Sequence, residues 1–514
     1  MNTLSTALFD VGKDRYEKYK KNIEKFITLQ VGLTTFHFNR DANEYTAKLY
    51  NFHIFPRHFA TVDARFLCQA SSWAFLSEYD FDFNKCVRDG LPFLNMEQEK
   101  QLKSDLKSDL LFTMEDNMAI SMDNEKTLQR ELSRVGEWLR KNSKEKEAMT
   151  ISYGLLKNDV ALIYFFQKEI RQHFGNVWTN TLAQDIEVLK VSPEERQRLE
   201  SENRDELDEW IVDQMLGFTK VFRLLAEAKK PLVGHNLLLD LMILYNQFHR
   251  PLPNSYTTFK QKITELFPSV YDTKFISYRF KKSLETDGKQ TEALTSNVLK
   301  PMYEYFKEPS IVNPLMTYAP EVSISAADQS KIDAKLRSSY HMAGWDSYVT
   351  GYCFIKMGHY FAAFKYGPDS IKRPLSSAEH IQGVSEFKCR VNVIRASINH
   401  INLGGDDPAT TRPQALVIKH RKNKKIDMSE VLELLTKYAP FDTMPMGHDA
   451  IVVAIPSYSL ARNLLREFSN NRTYSVSRYH MWKENKLIKA MIWSSFLLST
   501  GILLGTFVNY LIKD

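Results

Sequence analysis

The stretch "LVGHNLLLDLMILYNQF", residues 232–248, decides how the rest of the sequence is interpreted. A short apolar run ends in "GHN", and a longer apolar run follows it. Short apolar runs bounded by turn residues are typical of buried strands, and runs of about ten residues or more are typical of helices. We therefore expect a strand over "PLVGH" and a helix over 237–248, with the acid Asp240 near the start of that helix.

A second stretch, "HMAGWDSYVTGYCFIKMGHYF" at 341–361, repeats this arrangement, with His341 and Asp346 at the start of another apolar helix. Carboxylates are the ligands that Mg²⁺ favours, and two ions roughly 4 Å apart can act on a phosphodiester. A neutral histidine can take the proton of the attacking water. The alternative is that both acids only favour the positive ends of helix dipoles, and that His341 is a cap or surface residue.

Strands and helices alternate on either side of these stretches. The runs 26–36 and 45–55 predict a β-hairpin around the polar stretch "HFNRDANE", and residues 71–94 predict a helix followed by a turn. A single amphipathic helix is expected over "DQMLGFTKVFRLLAEAKK", residues 213–230, and a strand over "SVYDTKFIS" with Asp272 and Lys274 near its end. This alternation predicts an α/β fold.

The pattern changes after about residue 397. The segments "QALVIKH", "DMSEVLELLTKY", "FDTMPMG", "AIVVAIP", "YSLARNLLREF" and "YSVSRYH" follow in the order β-α-β-β-α-β. That order predicts a domain like the RNA-recognition motif (RRM) over 398–480. Its third strand, "DAIVVAI", offers no obvious aromatic pair for stacking bases, so a ferredoxin-like packing module is the alternative.

Composition bounds the class of protein. Of 514 residues, 43% are hydrophobic and 25% charged, which indicates a globular chain of about two to four domains. The net charge of +6 does not by itself indicate a nucleic-acid partner. The cysteines lack CxxC spacing, so they are expected as reduced core residues: Cys68, Cys86, Cys353 and Cys389.

The two ends of the chain differ. The amino end shows no apolar signal-peptide core. Near the other end, residues 490–512 carry no charge and are long enough for a membrane-spanning helix. Basic residues precede this run, which predicts a tail anchor over 488–512 with the bulk of the protein on the cytosolic side. A buried C-terminal helix is the alternative.

Several blocks together resemble the poly(A)-specific ribonuclease family. They are "FLCQASSWAFLSEYDFDFNKCVRDGLPFLNMEQEKQL" at 66–102, the stretch from Leu232 with "FPSVYDTK" after it, and "HMAGWDSYVTGYCFI". The resemblance runs from about Phe9 to 405, and the predicted tail anchor makes the chain similar to the PARN-like domain-containing branch, which trims piRNA precursors. It implies a DEDD 3′→5′ exoribonuclease of the histidine subtype with an RNase H-like fold.

The resemblance also implies a domain order. The nuclease domain would occupy 1–148 and 206–397, and it would be interrupted at 149–205 by a small inserted domain of a nucleic-acid-binding type. The RRM-like domain over 398–480 and the transmembrane helix over 488–512 would follow.

Site roles follow from the same resemblance. Asp240 and Asp346 match acidic ligands of Mg²⁺, and His341 matches the general base. Lys274 matches a substrate-contacting lysine, and Trp73 and Phe75 match positions that line the bound RNA, where stacking favours an aromatic ring. For Trp73 and Phe75 the alternative is packing of a helix into the core.

The first two acids of the DEDD set are missing. The family carries Asp-x-Glu on an early strand, and none of the residues before Asp10 supplies that pair. The triplet Asp185-Ile186-Glu187 has the right residue types but lies in the insert. Loss of the acids would stop two-ion catalysis, and loss of a central strand would cost more than a domain's stability of about 5–15 kcal/mol. We therefore expect an alternative start or an incomplete amino end.

The predicted function is a membrane-anchored, Mg²⁺-dependent 3′→5′ exoribonuclease that trims piRNA precursors. The expected partners are the 3′ end of single-stranded RNA, a PIWI-type protein that carries it, a Tudor-type adaptor, the membrane and a second copy of the chain. The expected location is the mitochondrial outer membrane, with the endoplasmic reticulum as the alternative. Two other functions stay open: an inactive RNA-binding scaffold on the same membrane, and a poly(A) deadenylase acting on messenger RNA.

Overall fold

The chain divides into two units in the computed structural model. Residues 19–391 form the larger unit, and residues 1–18 together with 392–514 form the smaller one. The structure describes residues 6–59, 61–107, 122–141, 148–156, 159–202, 206–286, 294, 296–307, 314–325, 342–367, 372–410 and 412–480. The smaller unit is discontinuous in sequence, because the larger unit is inserted after residue 18.

The strands of the described residues are, in chain order, β1 Gln30–Asn39, β2 Glu44–His53, β3 Ala148–Ser152, β4 Val177–Thr181, β5 Asp185–Lys190, β6 Leu232–Gly234, β7 Val270–Asp272, β8 Glu321–Ile324, β9 Arg390–Asn392, β10 His400–Asn402, β11 Leu416–His420, β12 Asp442–Pro445, β13 Ala450–Ala454 and β14 Tyr474–Arg478.

The α-helices are α1 Gly12–Ile23, α2 Ala70–Glu78, α3 Phe83–Asp89, α4 Met96–Lys107, α5 Met122–Lys141, α6 Val160–His173, α7 Pro193–Glu202, α8 Glu206–Leu216, α9 Phe218–Ala228, α10 Leu238–Phe248, α11 Tyr256–Leu266, α12 Thr273–Thr286, α13 Leu299–Lys307, α14 Ala343–Tyr366, α15 Ser377–Gly383, α16 Met428–Leu435 and α17 Tyr458–Phe468. Short 3₁₀ turns lie at Tyr153–Leu156, Pro314–Met316, Ser385–Phe387 and Thr436–Tyr438.

The predicted hairpin is confirmed, although its strands are longer at the turn than expected. β1 and β2 pair antiparallel from Gln30↔His53 to Asn39↔Glu44, so half of "HFNRDANE" belongs to the ladder. The chain reverses just before β2, where Asn43 has a φ of 50°. A polar composition therefore did not end the strands, because the exposed face of an antiparallel pair accepts polar residues. β8 adds to β2 as a parallel neighbour.

Helix α14 lies across the hairpin because small residues let it approach. A Cβ added to Gly32 of β1 would lie 1.8 Å from the Ala343 carbonyl oxygen. Two residues along β1, the Thr34 and Ser347 hydroxyls are 2.6 Å apart. A Cβ on Gly351 would meet the Phe36 ring at 2.1 Å. Successive residues on one strand face thus meet successive helical turns, and this contact fixes where α14 begins.

An aromatic-rich core fills the space beside α14. Its buried members include Phe280, Tyr348, Tyr352 and Tyr360, and Val233 of β6 packs against the same cluster. The rings of Phe280 and Tyr360 meet edge to face at 4.6 Å. Burial of such rings supplies most of the apolar area that stabilises this part of the chain.

Two segments differ from the sequence-based predictions. The expected single helix over 213–230 is broken into α8 and α9 at Gly217, whose φ is 37° and whose added Cβ would lie 2.3 Å from the Pro92 carbonyl oxygen. The expected strand over "SVYDTKFIS" is only β7, because Thr273 already begins helix α12. In both places a tertiary contact or a local turn overrides a continuous apolar pattern.

The segment predicted as an insert contains a sheet of its own in the order β3-β5-β4. The Asp185-Ile186-Glu187 triplet lies at the start of β5 in this sheet, and Glu187 accepts a hydrogen bond from the Asn180 side chain at 2.9 Å. Arg171 is also held within the insert, with its guanidinium 3.8 Å from the Trp178 ring and bonded to Thr179. These groups therefore have structural contacts inside the insert.

The smaller unit contains a four-stranded antiparallel sheet in the order β12-β13-β11-β14. Helices α16 and α17 cover one face, with Ile418, Ile451 and Val453 in the shared core. The opposite face buries Val417, Ala450 and Val452, against which Phe9 and Tyr479 pack. Both faces of the central strands are therefore covered by apolar side chains.

The predicted transmembrane element has to be corrected. No helix among the described residues is long and apolar enough to cross a membrane. The segments 488–512 and 490–512 themselves lie outside the described residues, which end at His480. On this finding the fold class with a transmembrane helix is wrong, and so are the membrane anchor and the mitochondrial or endoplasmic-reticulum location that were inferred from it. The α/β character of the chain stays.

Candidate active site

Two parallel strands carry the first part of the candidate site. β6 and β7 pair in register from Leu232↔Val270 to Gly234↔Asp272. The carboxyl ends of parallel strands meet at the same edge of a sheet, where ligands commonly bind. Asp240 lies in the first turn of α10, which follows β6, and Lys274 lies in the first turn of α12, which follows β7. The structure therefore brings these two side chains to one edge.

Asp272 fixes the turn that leads to Asp240. This carboxylate is fully buried, and its two oxygens accept hydrogen bonds from the backbone N–H groups of Asn236 at 2.9 Å, Leu237 at 3.0 Å and Lys274 at 2.9 Å. Asn236 has a φ of 64°, a conformation that Asn tolerates better than most residues. Asp272 was noted from the sequence only by its position. An acid at the last residue of a buried strand is the signal that could have identified it as a helix-capping group.

His235 is oriented by a neighbour on the other strand. Its Nδ1 lies 3.0 Å from the Thr273 hydroxyl, which donates to the Gly234 carbonyl oxygen at 3.0 Å. The hydroxyl proton is thus committed to the carbonyl, so His235 Nδ1–H donates and Nε2 keeps its lone pair. Burial, and next the positive charge of Lys274, lower the pKa of His235 to about 4. His235 is therefore neutral at pH 7.

Asp240 is exposed as a residue, but protein packs closely around its carboxyl group. This crowding displaces water and raises the pKa of the Asp240 carboxyl to about 6, with a smaller upward effect of the Asp272 charge, while a hydrogen bond to its own backbone N–H acts in the opposite direction. A bound cation would stabilise the ionised form. This is the environment expected of a carboxylate that binds a metal ion.

Asp346 occupies the first turn of α14, as expected from a helix that begins between positions 341 and 346. The helix start is held by the hairpin: the Ala343 N–H points to the Gln30 side-chain oxygen at 3.3 Å, and the Gly344 N–H points to that of Asn51 at 3.1 Å. Asp346 is half-buried. The strands thus set the position of this acid through backbone contacts of the preceding residues.

Strand β6 links the two acids. Val233 of β6 packs against the core cluster that contains Trp345 and Val349 of α14, and α10 follows β6 directly. Asp240 and Asp346 are thus first-turn acids of two helices that adjoin the same strand. His341 lies outside the described residues, so its position is not assigned.

Trp73 and Phe75 lie on a surface helix and are not core residues. No residue of α2 is buried, and the Trp73 and Phe75 side chains are 39% and 43% exposed. Trp73 stacks on Phe83 with ring centroids 4.6 Å apart, and Phe75 contacts Tyr79 at 4.8 Å. Core packing therefore does not explain these two residues. Each ring instead contacts an aromatic neighbour near the surface, Phe83 of α3 for Trp73 and Tyr79 for Phe75.

A metal ion fits the donor chemistry only in part. Asp240 and Asp346 are carboxylates, the donor type that Mg²⁺ takes, and burial raises the pKa of Asp240 because it disfavours the charged form. Within the described part of the chain, no cluster of three or more His, Cys, Asp or Glu side chains could hold an ion. Asp240 and Asp346 therefore stay predicted ligands, without a complete ligand set among the described residues.

A second cluster of titratable groups lies under the middle of α14. The Tyr45 hydroxyl is 3.0 Å from His380 Nδ1, His380 Nε2 is 3.3 Å from His359 Nδ1, and His359 Nε2 is 3.0 Å from the Thr317 carbonyl oxygen. The carbonyl can only accept, so each group along the chain donates to the next one. Burial lowers the pKa of both histidines to about 4. This row of hydrogen bonds begins and ends inside the protein, so none of its groups is available to a substrate.

Comparison with known proteins agrees with the sequence resemblance. The model of the CAF1 family of ribonucleases matches residues 2–354. The pre-piRNA 3′-exonuclease trimmer of Bombyx mori is 32% identical over 499 residues, which cover 97% of this chain and 90% of that protein. The human poly(A)-specific ribonuclease PNLDC1 is 29% identical over 492 residues, covering 95% of this chain and 90% of its own length.

A third relative aligns over a smaller share of its own length. The human poly(A)-specific ribonuclease PARN is 29% identical over 503 residues, 94% of this chain and 75% of that protein. The family model spans more than half of the chain, so the expected enzyme class, a 3′→5′ exoribonuclease, is confirmed at the level of the family. This chain belongs to the CAF1 family of ribonucleases.

Proposed function

We propose that this protein shortens single-stranded RNA from its 3′ end and that its substrates are piRNA precursors presented by a PIWI-type protein. The support is the relative from Bombyx mori, a pre-piRNA 3′-exonuclease trimmer that aligns with 97% of this chain. A precursor held by a partner leaves only its 3′ tail free, so an enzyme that works from the 3′ end suits such a substrate. A Tudor-type adaptor and a second copy of the chain are further proposed partners.

The observation that supports this proposal most directly is the position of two acids. Asp240 and Asp346 each lie in the first turn of a helix, and both helices adjoin β6. We assign these carboxylates the role of holding Mg²⁺. A bound divalent ion supplies charge stabilisation for phosphodiester hydrolysis and lowers the pKa of bound water. His341, which lies outside the described residues, is the proposed general base.

The chain's other side chains would hold the RNA. Lys274 lies at the same sheet edge as Asp240, and a lysine there can neutralise a phosphate. Trp73 and Phe75 present exposed rings on which bases can stack, independently of base identity. Asp272 and Thr273 would not contact the RNA. Asp272 fixes the backbone that leads to Asp240, and Thr273 orients His235.

The test compares Asp346→Asn with the unchanged chain on a 5′-labelled, mixed-sequence single-stranded RNA. We expect a ladder of 3′-shortened products with Mg²⁺, none with EDTA, and a loss of rate of more than about 100-fold in the variant, since even indirect partners of a metal site cost about 10–100-fold. Glu209→Gln is the matched control, because Glu209 is also a first-turn acid but is exposed on α8. Metal-dependent trimming that survives Asp346→Asn would show that the site is misplaced.

A second comparison separates the substrate classes. Equal rates on mixed-sequence and poly(A) RNA, with efficient trimming of RNA held in a PIWI-type protein, would support the proposal. Strong preference for poly(A) would instead indicate a deadenylase. RNA binding without any metal-dependent shortening would indicate the scaffold alternative.

A further inference from the structure

Two loops at one end of the four-stranded sheet carry the densest positive charge of the smaller unit's described residues. The basic loop surface is formed by Lys422, Lys424 and Lys425, between β11 and α16, and by Arg472, between α17 and β14. All four residues are exposed. The run "KHRKNKK" at 419–425 contains no acid. A charge run of this kind is often only a solvated face, so further observations have to decide.

The first observation is that the loops are fastened to one another. The Arg421 N–H donates to the Thr473 carbonyl oxygen at 2.9 Å, and the Arg421 Nε donates to that of Asn471 at 2.8 Å. The Ile426 N–H donates to the His448 carbonyl oxygen at 2.9 Å. The β11–α16, β12–β13 and α17–β14 connections thus form one surface, and Arg421 supports it structurally.

The second observation is the lack of neutralising partners. Among the described residues, no ion pair joins Lys422, Lys424, Lys425 or Arg472 to an acid, whereas Lys437 and Arg395 of the same unit are paired with Glu467 and Asp442. Asp449 of the β12–β13 connection lies 3.9 Å from His448 Nδ1, and two further acids beside the surface are engaged elsewhere. Asp427 caps α16 through the Ser429 N–H at 2.9 Å, and Glu430 accepts from the Tyr474 hydroxyl at 2.6 Å. Four positive charges are thus available to an external anion.

The third observation excludes the alternative surface of this unit. A sheet of this topology usually contacts RNA through aromatic rings on its open face. Here that face is occupied by Val417, Ala450 and Val452, with Phe9 and Tyr479 packed on them. In the part of the chain that the structure describes, the sheet has no open platform, so RNA contacts of this unit would have to come from its loops.

We propose that the basic loop surface binds the phosphate backbone of single-stranded RNA, as a contact additional to the nuclease site; this rests on the proposed single-stranded RNA substrate. The three connecting loops carry no Phe, Tyr or Trp, so recognition is electrostatic and independent of base sequence. The released counterions give binding a dependence on salt. On single strands each neutralised phosphate contributes a slope of about −0.7 in log affinity against log salt concentration.

The test is RNA binding by the full-length chain in EDTA, measured by fluorescence anisotropy with a mixed-sequence single strand over a salt series. The variant carries Lys422→Gln, Lys424→Gln and Lys425→Gln. Three lost phosphate contacts should make the slope of log affinity against log salt concentration less steep by about 2. When the salt concentration rises from about 50 to 200 mM, the fold-loss of affinity should therefore be about 20 times larger for the unchanged chain than for the variant. The matched control carries Lys100→Gln, Lys103→Gln and Lys107→Gln on α4, which lowers the net charge equally and should leave the slope unchanged.

Two outcomes would overturn the proposal. One is a slope and affinity of the triple variant equal to those of the control. The other is retention of RNA binding with a selective loss of binding to anionic lipid vesicles, which would assign the surface to a membrane. Mg²⁺-dependent trimming of a short RNA is measured in parallel. If the unchanged chain trims RNA but its salt slope equals that of the triple variant, only the proposal for the loop surface is wrong. If the two slopes differ but the unchanged chain does not trim RNA, only the nuclease assignment is wrong.

Discussion

Two sets of side chains in the larger unit differ in whether they are buried and hydrogen-bonded within the protein or exposed. Asp272, His359 and His380 are enclosed, and protein groups satisfy them. Asp240, Trp73 and Phe75 are exposed. Each set contains an aspartate, so residue type alone does not separate them. The difference shows that an enclosed polar group with all its hydrogen bonds made stabilises the fold, while an exposed one in crowded surroundings is available for chemistry.

The largest effect is expected at an enclosed residue, through Asp272→Ala. Three backbone N–H groups would lose their acceptor, that of Leu237 buried and those of Asn236 and Lys274 partly buried. An unsatisfied buried group costs about 1–3 kcal/mol, and at the lower end of that range for each group the free energy of unfolding should fall by about 3 kcal/mol. Urea unfolding measures this. The matched control is Asp82→Ala, an exposed cap of α3 that accepts one N–H at 2.8 Å and should cost only about 1 kcal/mol. Equal losses would break the distinction drawn above.

The buried histidines predict a dependence of stability on pH. In the folded chain their pKa is about 4, below the 6.5 of an unfolded histidine, so protons bind preferentially to the unfolded chain as the pH falls below 6.5. Stability should therefore be complete above pH 6.5 and fall towards pH 4, by up to about 1.4 kcal/mol per pH unit for each histidine. Nearby Lys356 also disfavours the charged form of both rings, and Glu379 favours that of His380.

His380→Gln tests this expectation, because the amide can still accept from Tyr45 and donate towards His359. The slope of unfolding free energy between pH 6.5 and 5 should fall by up to about 1.4 kcal/mol per pH unit, the share of one histidine, while His235 and His359 keep their lowered pKa values. His58→Gln, at an exposed position, should leave it unchanged. An unchanged slope in His380→Gln would assign this share of the pH dependence to other groups.

The smallest effect is expected at an exposed residue, through Trp73→Ala. Loss of one stacking ring should weaken RNA affinity by about 1–2 kcal/mol, roughly tenfold, with little change in stability because the ring is 39% exposed. Anisotropy and thermal unfolding of the same sample measure both quantities. Phe364→Ala is the control, since that ring is 49% exposed and lies near the carboxyl end of α14, whereas Asp346 lies near its start. Loss of stability without loss of affinity would place Trp73 with the enclosed set.

Local patterns predicted much of this molecule, and they failed where distant contacts decide. The hairpin, β6, α10, α14 and the β-α-β-β-α-β order were visible because apolar spacing and turn residues are local signals. The break at Gly217 depends on Pro92, and the role of Asp272 depends on a loop thirty-six positions earlier. The transmembrane prediction was based on apolar length alone and is contradicted. The site roles of Asp240, Asp346, Lys274, Trp73 and Phe75 stay predictions.

The discontinuity of the smaller unit has a consequence for any dissection of this protein. Arg15 is fully buried and donates to the carbonyl oxygens of Ile394 and Arg395 at 2.7 Å each, while Phe9 covers the second face of the sheet. A fragment that starts at residue 398 would therefore lack part of its own interior and expose Val417, Ala450 and Val452. Recombinant versions of this unit need residues 6–18 joined to the carboxyl-terminal segment, or supplied as a separate peptide.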